Sequence, residues 1–342
     1  MNISEFDYNL PNHLIAQYPI EPRDHCNLMV IDSTDGTIKH HKFYDLPKYI
    51  SEGDVLVFND TKVIPARLYG RTEGNMGKFE ILLLEKTSNG EWKVLVKPGR
   101  RMRKGVKFQI GNKGTFISGE VIEVLSDGTR MVNLDGEEYI YDLGELPLPP
   151  YIKGFTGDYN DYQTIYAGEY GSIAAPTAGL HFTDNLMNEL REHKAEIVFV
   201  TLHVGWDTFR SIKSEDIFHH KMHSEFWTIS DISAKAISLA KSEKRKIIGV
   251  GTTTVRLLEN LGNVQQDVYN LNSDSGWADI FITPGHEFKL VDNLITNFHL
   301  PKSTLLMLTS AFADRKLIMK AYSEAISENY RFYSFGDAML IL

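Results

Sequence analysis

The chain has 342 residues and a formal net charge of −9, 36 Lys and Arg against 45 Asp and Glu, so about two domains are expected and a protein that coats nucleic acid over its whole surface is excluded. A single cysteine, Cys26, excludes a disulfide framework and a thiolate zinc site. No apolar run is long enough to span a bilayer and MNISEFDYNL lacks a signal peptide's regions, so a cytoplasmic globular protein is expected.

In chain order, VLVFND (55–60) is a buried strand ending in polar residues. Asn59, Asp60 and Thr61 at its end are able to fix a turn through side-chain-to-backbone hydrogen bonds, or to hold ribose hydroxyls. From 67 to 150 the character changes. FEILLLEK, WKVLVKPG, VKFQIG, GTFISGEVIEVL, TRMVNLD and EEYIYDL are short period-two runs, most of them separated by turn residues. They predict a small all-β barrel inserted into the chain, closed off by PLPP at 147–150. The flanks, 1–66 and 151–342, read together as one discontinuous α/β domain with an open, barrel-like mixed sheet and helices. Its predicted elements are a helix over 186–194 capped by Thr183-Asp184, a strand over 196–205, and a helix over 232–246. There follow a strand-turn-helix over 246–261, a strand and turn in ADIFITPG (278–285), one long helix over 310–330, and a closing strand in YRFYSFGDAMLIL.

Charge is unevenly spread within the inserted segment. Residues 71–113 carry eleven Lys and Arg against four acids; residues 114–150 carry one base against eight acids. KPGRRMRKGVK packs Lys97, Arg100, Arg101, Arg103, Lys104 and Lys107 together with no acid. Cations so crowded repel unless a polyanion neutralises them, or they form a solvated turn.

Further polar blocks follow predicted strands. GSIAAPTAGLHFT (171–183) is small, nearly uncharged and ends in His181, suited to close approach by a ligand. LHVGWDTFR (202–210) and HHKMHSE (219–225) hold His203, Asp207, Arg210, His220, His223 and Glu225. His220 and His223 beside Glu225 raise a metal site, but no HExxH-like spacing is present and none is expected. GVGTTTVRLLEN (249–260) runs glycines and threonines into a helix whose N-terminus suits a carboxylate or phosphate, or is simply capped. TNFHLPKSTLLML (296–308) places Asn297, His299 and Lys302 before a helix that Ser303 would cap.

Taken together these blocks resemble the S-adenosylmethionine:tRNA ribosyltransferase-isomerase family of the queuosine pathway. The resemblance rests on FDYNLP (6–11), IEPRD (20–24), LVFNDTKVIPARL (56–68), YQTIYA (162–167), AAPTAGLHFT (174–183), LHVG and TFR (202–210), HKMHSE (220–225), GTTTVRLLE (251–259), TNFHLPKSTLLML (296–308) and YRFYSFGDAMLI (330–341). Trp206, Asp207, Ala278 and His286 depart from the family's usual residues. The resemblance implies transfer of the ribosyl part of S-adenosylmethionine to the aminomethyl group of a 7-deazaguanine at the tRNA wobble position. Isomerisation then gives epoxyqueuosine, with release of adenine and methionine. It implies no bound cofactor or metal, a tRNA anticodon stem-loop as partner, no membrane, and a monomer. For this chemistry His181 or His203, with Asp60, is expected to supply acid–base work. Asn59, Asp60 and Thr61 are expected to hold the nucleoside, and Thr252, Thr253 and Arg256 the amino-acid end or a phosphate. Asn297, His299 and Lys302 would frame the modified base. Arg67, Thr177, Gly205, Thr208, His223 and Glu225 complete the expected substrate-binding set. Lys97, Arg100, Arg101, Arg103 and Lys104 would meet the tRNA backbone. The competing readings are a conventional RNA methyltransferase, whose GxGxxG-like loop after the first strand is missing, and an RNA-binding scaffold without activity.

Overall fold

The computed structural model describes residues 2–74, 76–112, 114–206, 217, 222 and 224–342. Packing divides the chain into two compact units, one of Met1–Lys62, Pro150–Glu169 and Ala175–Leu342, the other of Val63–Pro149 with Tyr170–Ala174. The smaller unit therefore starts at Val63 rather than at 67, and takes Tyr170–Ala174 as well.

The larger unit opens with strands β1 (Asn27–Ile31), β2 (Ile38–Lys42) and β3 (Val55–Asn59). The smaller unit supplies β4 (Arg67–Thr72), β5 (Lys78–Lys86), β6 (Trp92–Lys97), β7 (Lys107–Asn112), β8 (Thr115–Val124) and β9 (Arg130–Asp135). The larger unit then resumes with α1 (Asp184–Glu192), β10 (Glu196–Leu202), β11 (Glu225–Ile229), α2 (Asp231–Ser242), β12 (Ile247–Val250) and α3 (Thr252–Gln265). It ends with β13 (Asp274–Ala278), β14 (Asn293–Asn297), α4 (Thr304–Phe312), α5 (Arg315–Ser327) and β15 (Ala338–Ile341).

The larger unit is built on an open nine-stranded mixed sheet of order β13-β11-β10-β3-β12-β14-β15-β1-β2. The run β10-β3-β12-β14 is parallel. β3, β12 and β14 are buried at every position, which is why VLVF and IIGV read as near-continuous apolar runs rather than alternating ones, while β14 buries Asn293, Thr296 and Asn297 beside Leu294 and Ile295. Alternation still sorts their side chains between two cores. Leu56, Phe58, Ile248, Val250, Ile295 and Leu340 face a core closed by Leu186, Met187 and Leu190 of α1 and by Phe43 and Leu46. Helices α2, α3 and α4 lie against the sheet's strands, with Ile237, Val255, Leu258 and Leu308 buried. Capping follows the residues: Thr183 accepts from the Leu186 amide, Ser230 from that of Ser233, and Ser303 from that of Leu306.

The smaller unit is a closed antiparallel barrel of order β9-β6-β5-β4-β7-β8, filled by Phe79, Ile81, Val94, Phe108, Ile110, Ile117, Val121 and Val132.

Three expected elements differ. EEYIYDL is a 3-10 turn (Glu137–Tyr139) running into one helical turn (Ile140–Leu143), because Gly136, at φ 90°, turns the chain out of the ladder. The strand expected in ADIFITPG ends at Ala278; beyond it the carbonyls of Ala278 and Ile280 accept from the Arg256 guanidinium at 3.3 and 3.4 Å. The single helix expected over 310–330 is two, α4 and α5, since Asp314 leaves helical geometry and caps α5 through the Lys316 amide.

Candidate active site

Strands β10, β3, β12 and β14 run the same way and end at Leu202, Asn59, Val250 and Asn297. β11 and β15 run against them and β1 runs with β15, so Glu225, Asp337 and Cys26 sit at the same edge. Blocks far apart in sequence thus meet at the carboxyl ends of parallel strands, where open α/β sheets take their ligands.

Several candidates are engaged within the protein. Asn59 is fully buried; its Nδ2 donates to the Leu202 carbonyl at 2.9 Å, and its Oδ1 accepts from the Leu202 and Thr61 amides at 3.0 and 3.2 Å. It clamps the ends of β3 and β10. Arg256 is ion-paired with Glu225, both buried, and Glu225 Oε1 also accepts from the Gly205 amide at 3.0 Å. Arg256 is therefore not free to receive an external carboxylate, and Glu225 and Gly205 serve the pair. Lys302 reaches Asp7 at 2.7 Å, while its amide donates to the Phe6 carbonyl at 2.9 Å. His299 is buried between Thr296, whose hydroxyl lies 2.9 Å from Nε2, and Tyr8 and Tyr322, which hold its backbone. These bonds join FDYNLP to NFHLPKS and make His299 and Lys302 parts of the framework.

His181 belongs to a polar chain through the core. Thr177 donates to Asn297 Oδ1 at 3.1 Å. Asn297 Nδ2 lies 3.1 Å from the Tyr333 carbonyl, which only accepts, so that nitrogen is the donor. Its second hydrogen goes to His181 Nε2 at 3.0 Å, which leaves the imidazole proton on Nδ1, facing Cys26 Sγ at 3.2 Å. Burial, with Arg23 and Arg331 nearby, pushes His181 down to about 3. It is a neutral ring with both nitrogens engaged within the protein. The neighbouring Gly179 is required by packing, because a Cβ there would stand 1.9 Å from Tyr166 Oη.

Other groups keep open valences. Thr61 Oγ1 lies 2.8 Å from His203 Nδ1 and 3.4 Å from the Glu169 carbonyl, and the ring's tautomer decides which atom of the shorter pair donates. Nε2 of His203 has no partner among the described residues. Burial pushes His203 below the usual imidazole range against a smaller opposing pull from Glu169, so the ring is a neutral base at neutral pH. Asp60 accepts from Thr201 Oγ1 at 2.7 Å through Oδ1, and Oδ2 has no partner among the described residues. Burial, then the hydrogen bond from Thr201 opposing it, then the Glu169 charge leave Asp60 above the usual carboxylate range. At the start of α3, the amides of Thr252, Thr253 and Thr254 precede the first intrahelical bond, which Val255 makes to Gly251.

A family model described as queuosine biosynthesis protein matches residues 3–341. The chain belongs to the queuosine biosynthesis protein family. It is 51% identical to the S-adenosylmethionine:tRNA ribosyltransferase-isomerase of Caldanaerobacter subterraneus subsp. tengcongensis, and 50% identical to that of Staphylococcus haemolyticus. Both alignments cover 100% of this chain and of the relative. The crystal structure of S-adenosylmethionine tRNA ribosyltransferase from Thermotoga maritima is similar at a TM-score of 0.58 and 38% identity, over 99% of this chain and 100% of that one.

In this queuosine biosynthesis protein Thr208 and His223, with Asp207, Arg210 and His220, lie outside the described residues. Arg67 lies in the smaller unit, in an ion pair with Glu80 at 3.6 Å. That unit also presents Lys97, Arg100, Arg101, Arg103 and Lys104, all exposed and with no ion pair among the described residues. The turn carrying them is held from behind by Arg130, which donates to the carbonyls of Gly99 and Met102 at 3.1 Å each. No group of metal-ligating side chains occurs among the described residues, and no helix there is long and apolar enough to cross a membrane.

Two residues at or near this edge, and one at the opposite edge beside the amino end of β14, were missed from sequence. Glu169 acts on both Asp60 and His203. Trp277, 52% exposed, packs edge-on against Phe226 at 5.5 Å, and Phe226 stacks on His203. Glu259, fully buried, accepts from the amides of Lys289, Leu290 and Val291 and so pins the 289–291 loop. Its signal was a carboxylate four residues after Val255 on an apolar helix face.

Proposed function

We propose that this chain transfers the ribosyl moiety of S-adenosylmethionine to 7-aminomethyl-7-deazaguanine at the tRNA wobble position. Isomerisation yields epoxyqueuosine-tRNA and releases adenine and methionine. The observation that carries the reading is the full-length match to S-adenosylmethionine:tRNA ribosyltransferase-isomerases at about half identity, together with the open-valence groups gathered at one sheet edge.

The chemistry asks for a base and an acid. The sulfonium acidifies the neighbouring ribose 5′ C–H, and a neutral imidazole whose Nε2 meets no described partner is suited to take that proton in the tautomer that protonates Nδ1, which makes His203 the base of this reading. Adenine departs more readily with a proton donor, and Asp60 is the carboxyl whose surroundings favour holding one. His181 acts as a positioning residue that fixes Asn297 and the Thr177–His181 turn. S-Adenosylmethionine enters as a substrate, and no separate cofactor is used. The tRNA backbone is met by Lys97, Arg100, Arg101, Arg103 and Lys104. The exposed ring of Trp277 offers a face on which an unstacked anticodon-loop base can lie.

The test is incubation with labelled S-adenosylmethionine and tRNA carrying the precursor base. Free adenine and methionine in equal amounts, with the ribosyl label on tRNA, are expected. S-adenosylhomocysteine would mean methylation instead, and no turnover would leave the scaffold reading.

A further inference from the structure

We propose that the N-terminus of α3, with the Thr253 hydroxyl, forms a carboxylate subsite that receives the amino-acid end of S-adenosylmethionine; this rests on the substrate reading above. Helices of this length usually close their first turn with a Ser, Thr, Asp or Asn oxygen at the N-cap. Here the N-cap is Gly251, at φ +93°, and no side chain caps the turn. The position its missing Cβ would take lies 3.7 Å from Thr253 Oγ1 and 3.7 Å from Ala178 Cβ. That position is thus bounded by a hydroxyl on one side and by the AAPTAGLHF block on the other.

Thr253 supplies the second, independent observation. It is only 6% exposed, and its hydroxyl is buried with no hydrogen-bond partner. Its neighbour Thr254 shows the ordinary alternative, bonding back to the Val250 carbonyl at 2.7 Å. A buried hydroxyl without a partner is costly and in folded proteins generally signals an absent ligand or water. A carboxylate oxygen placed as an external N-cap would accept from that hydroxyl and from the free amides, at the positive end of a fourteen-residue helix.

Two further points select the ligand. Arg256, the cation that the sequence offered for the same role, is held by Glu225, so the helix end must meet the charge. Gly251, Thr252 and Thr253 are all buried, which suits a small terminal group and not a phosphodiester threaded through a polynucleotide chain.

The experiment compares Thr253→Val and Thr253→Ser with the full-length wild type in calorimetric binding of S-adenosylmethionine, of its decarboxylated analogue, and of unmodified tRNA. Thr253→Val is expected to weaken S-adenosylmethionine roughly tenfold, the worth of a hydrogen bond to a charged group, while the decarboxylated analogue binds wild type and variant within about twofold. Thr253→Ser should restore binding. Equal losses for both ligands, no loss for either, or a loss confined to tRNA would overturn the proposal. Unchanged melting of the ligand-free variants separates local from global effects. Wild type that binds S-adenosylmethionine but yields S-adenosylhomocysteine would refute the proposed reaction and leave the subsite standing. Wild type that does not bind it would refute both.

Discussion

Acidification is the perturbation that best separates His181 from His203. Burial holds His181 and His299 at about 3, against 6.5 for an ordinary imidazole. Once unfolded, both bind a proton as pH falls through 6.5, while the folded forms stay neutral until about 3. Their contribution to stability is therefore complete above pH 6.5 and is lost progressively between there and pH 3. At pH 5 the loss is about 2 kcal/mol for each ring, and about 4 kcal/mol for the two, out of a total stability of about 5–15 kcal/mol. Carboxylates add their own dependence, so the informative quantity is the difference between proteins. Urea denaturation at pH 7.5, 6.0 and 5.0 should show wild type losing about 2 kcal/mol more than His181→Gln, and about 2 kcal/mol more than His299→Gln, over that range.

The kinetic half of the same test runs the other way. His203 is depressed below 6.5 but only partly buried, and its neutral form is the proposed base. The acid limb of kcat/KM should therefore lie below pH 6.5 and vanish in His203→Gln, along with most of the activity. His181→Gln should leave that limb in place. A limb that moves with His181, or a variant stability curve parallel to that of wild type, would refute the reasoning that the His181 nitrogens are engaged and its ring is neutral.

Charge reversal of Arg100, Arg101 and Arg103 to Glu should weaken tRNA binding and flatten its salt dependence by about 0.7–0.9 in log–log slope for each phosphate no longer neutralised; an unchanged slope counts against the basic turn. The KM for S-adenosylmethionine should not move in that variant. Arg256→Leu, which strands the Glu225 carboxylate in the interior, should cost about 3–5 kcal/mol of stability, read by denaturation. Adding Glu225→Gln should recover part of that loss, and an equal loss in single and double variants would show that the pair is not coupled. Trp277→Ala should weaken tRNA by about 1–3 kcal/mol if a base stacks there, and anticodon stem-loop should quench wild-type tryptophan fluorescence in proportion; no quenching would remove the stacking role.

What could be read in the sequence divides along a physical line. The ends of β3 and β12 were legible because those strands carry apolar runs that stop at polar residues, and hydrophobic runs are a local signal; β14, with only Leu294 and Ile295 apolar, gave no such signal. The barrel strands were legible for the same reason, through period two and Gly or Asp turns. Breaks set by a single side chain were not. Asp314 divides one amphipathic pattern into two helices, and Arg256 takes carbonyls that a strand in ADIFITPG would have offered to a neighbour.

The polar blocks were legible as places, not as chemistry. Which atoms remain free depends on partners that local pattern does not encode. Asn59 meets Leu202 from 143 positions away, and His181 meets Asn297 from 116. Read alone, Asn59, Arg256, His181 and His299 look as reactive as His203 and Asp60. In the fold the first four are tied up in hydrogen bonds and ion pairs within the protein, and this holds the strand ends in register at the edge where the last two stand. Because each of those four buries polar atoms that would otherwise lack partners, replacing one should disturb stability and substrate handling together. Replacing His203 or Asp60, whose open valences face no described partner, should reduce turnover with little change in stability. This split between the two sets of variants is what distinguishes framework from chemistry at an edge crowded with both.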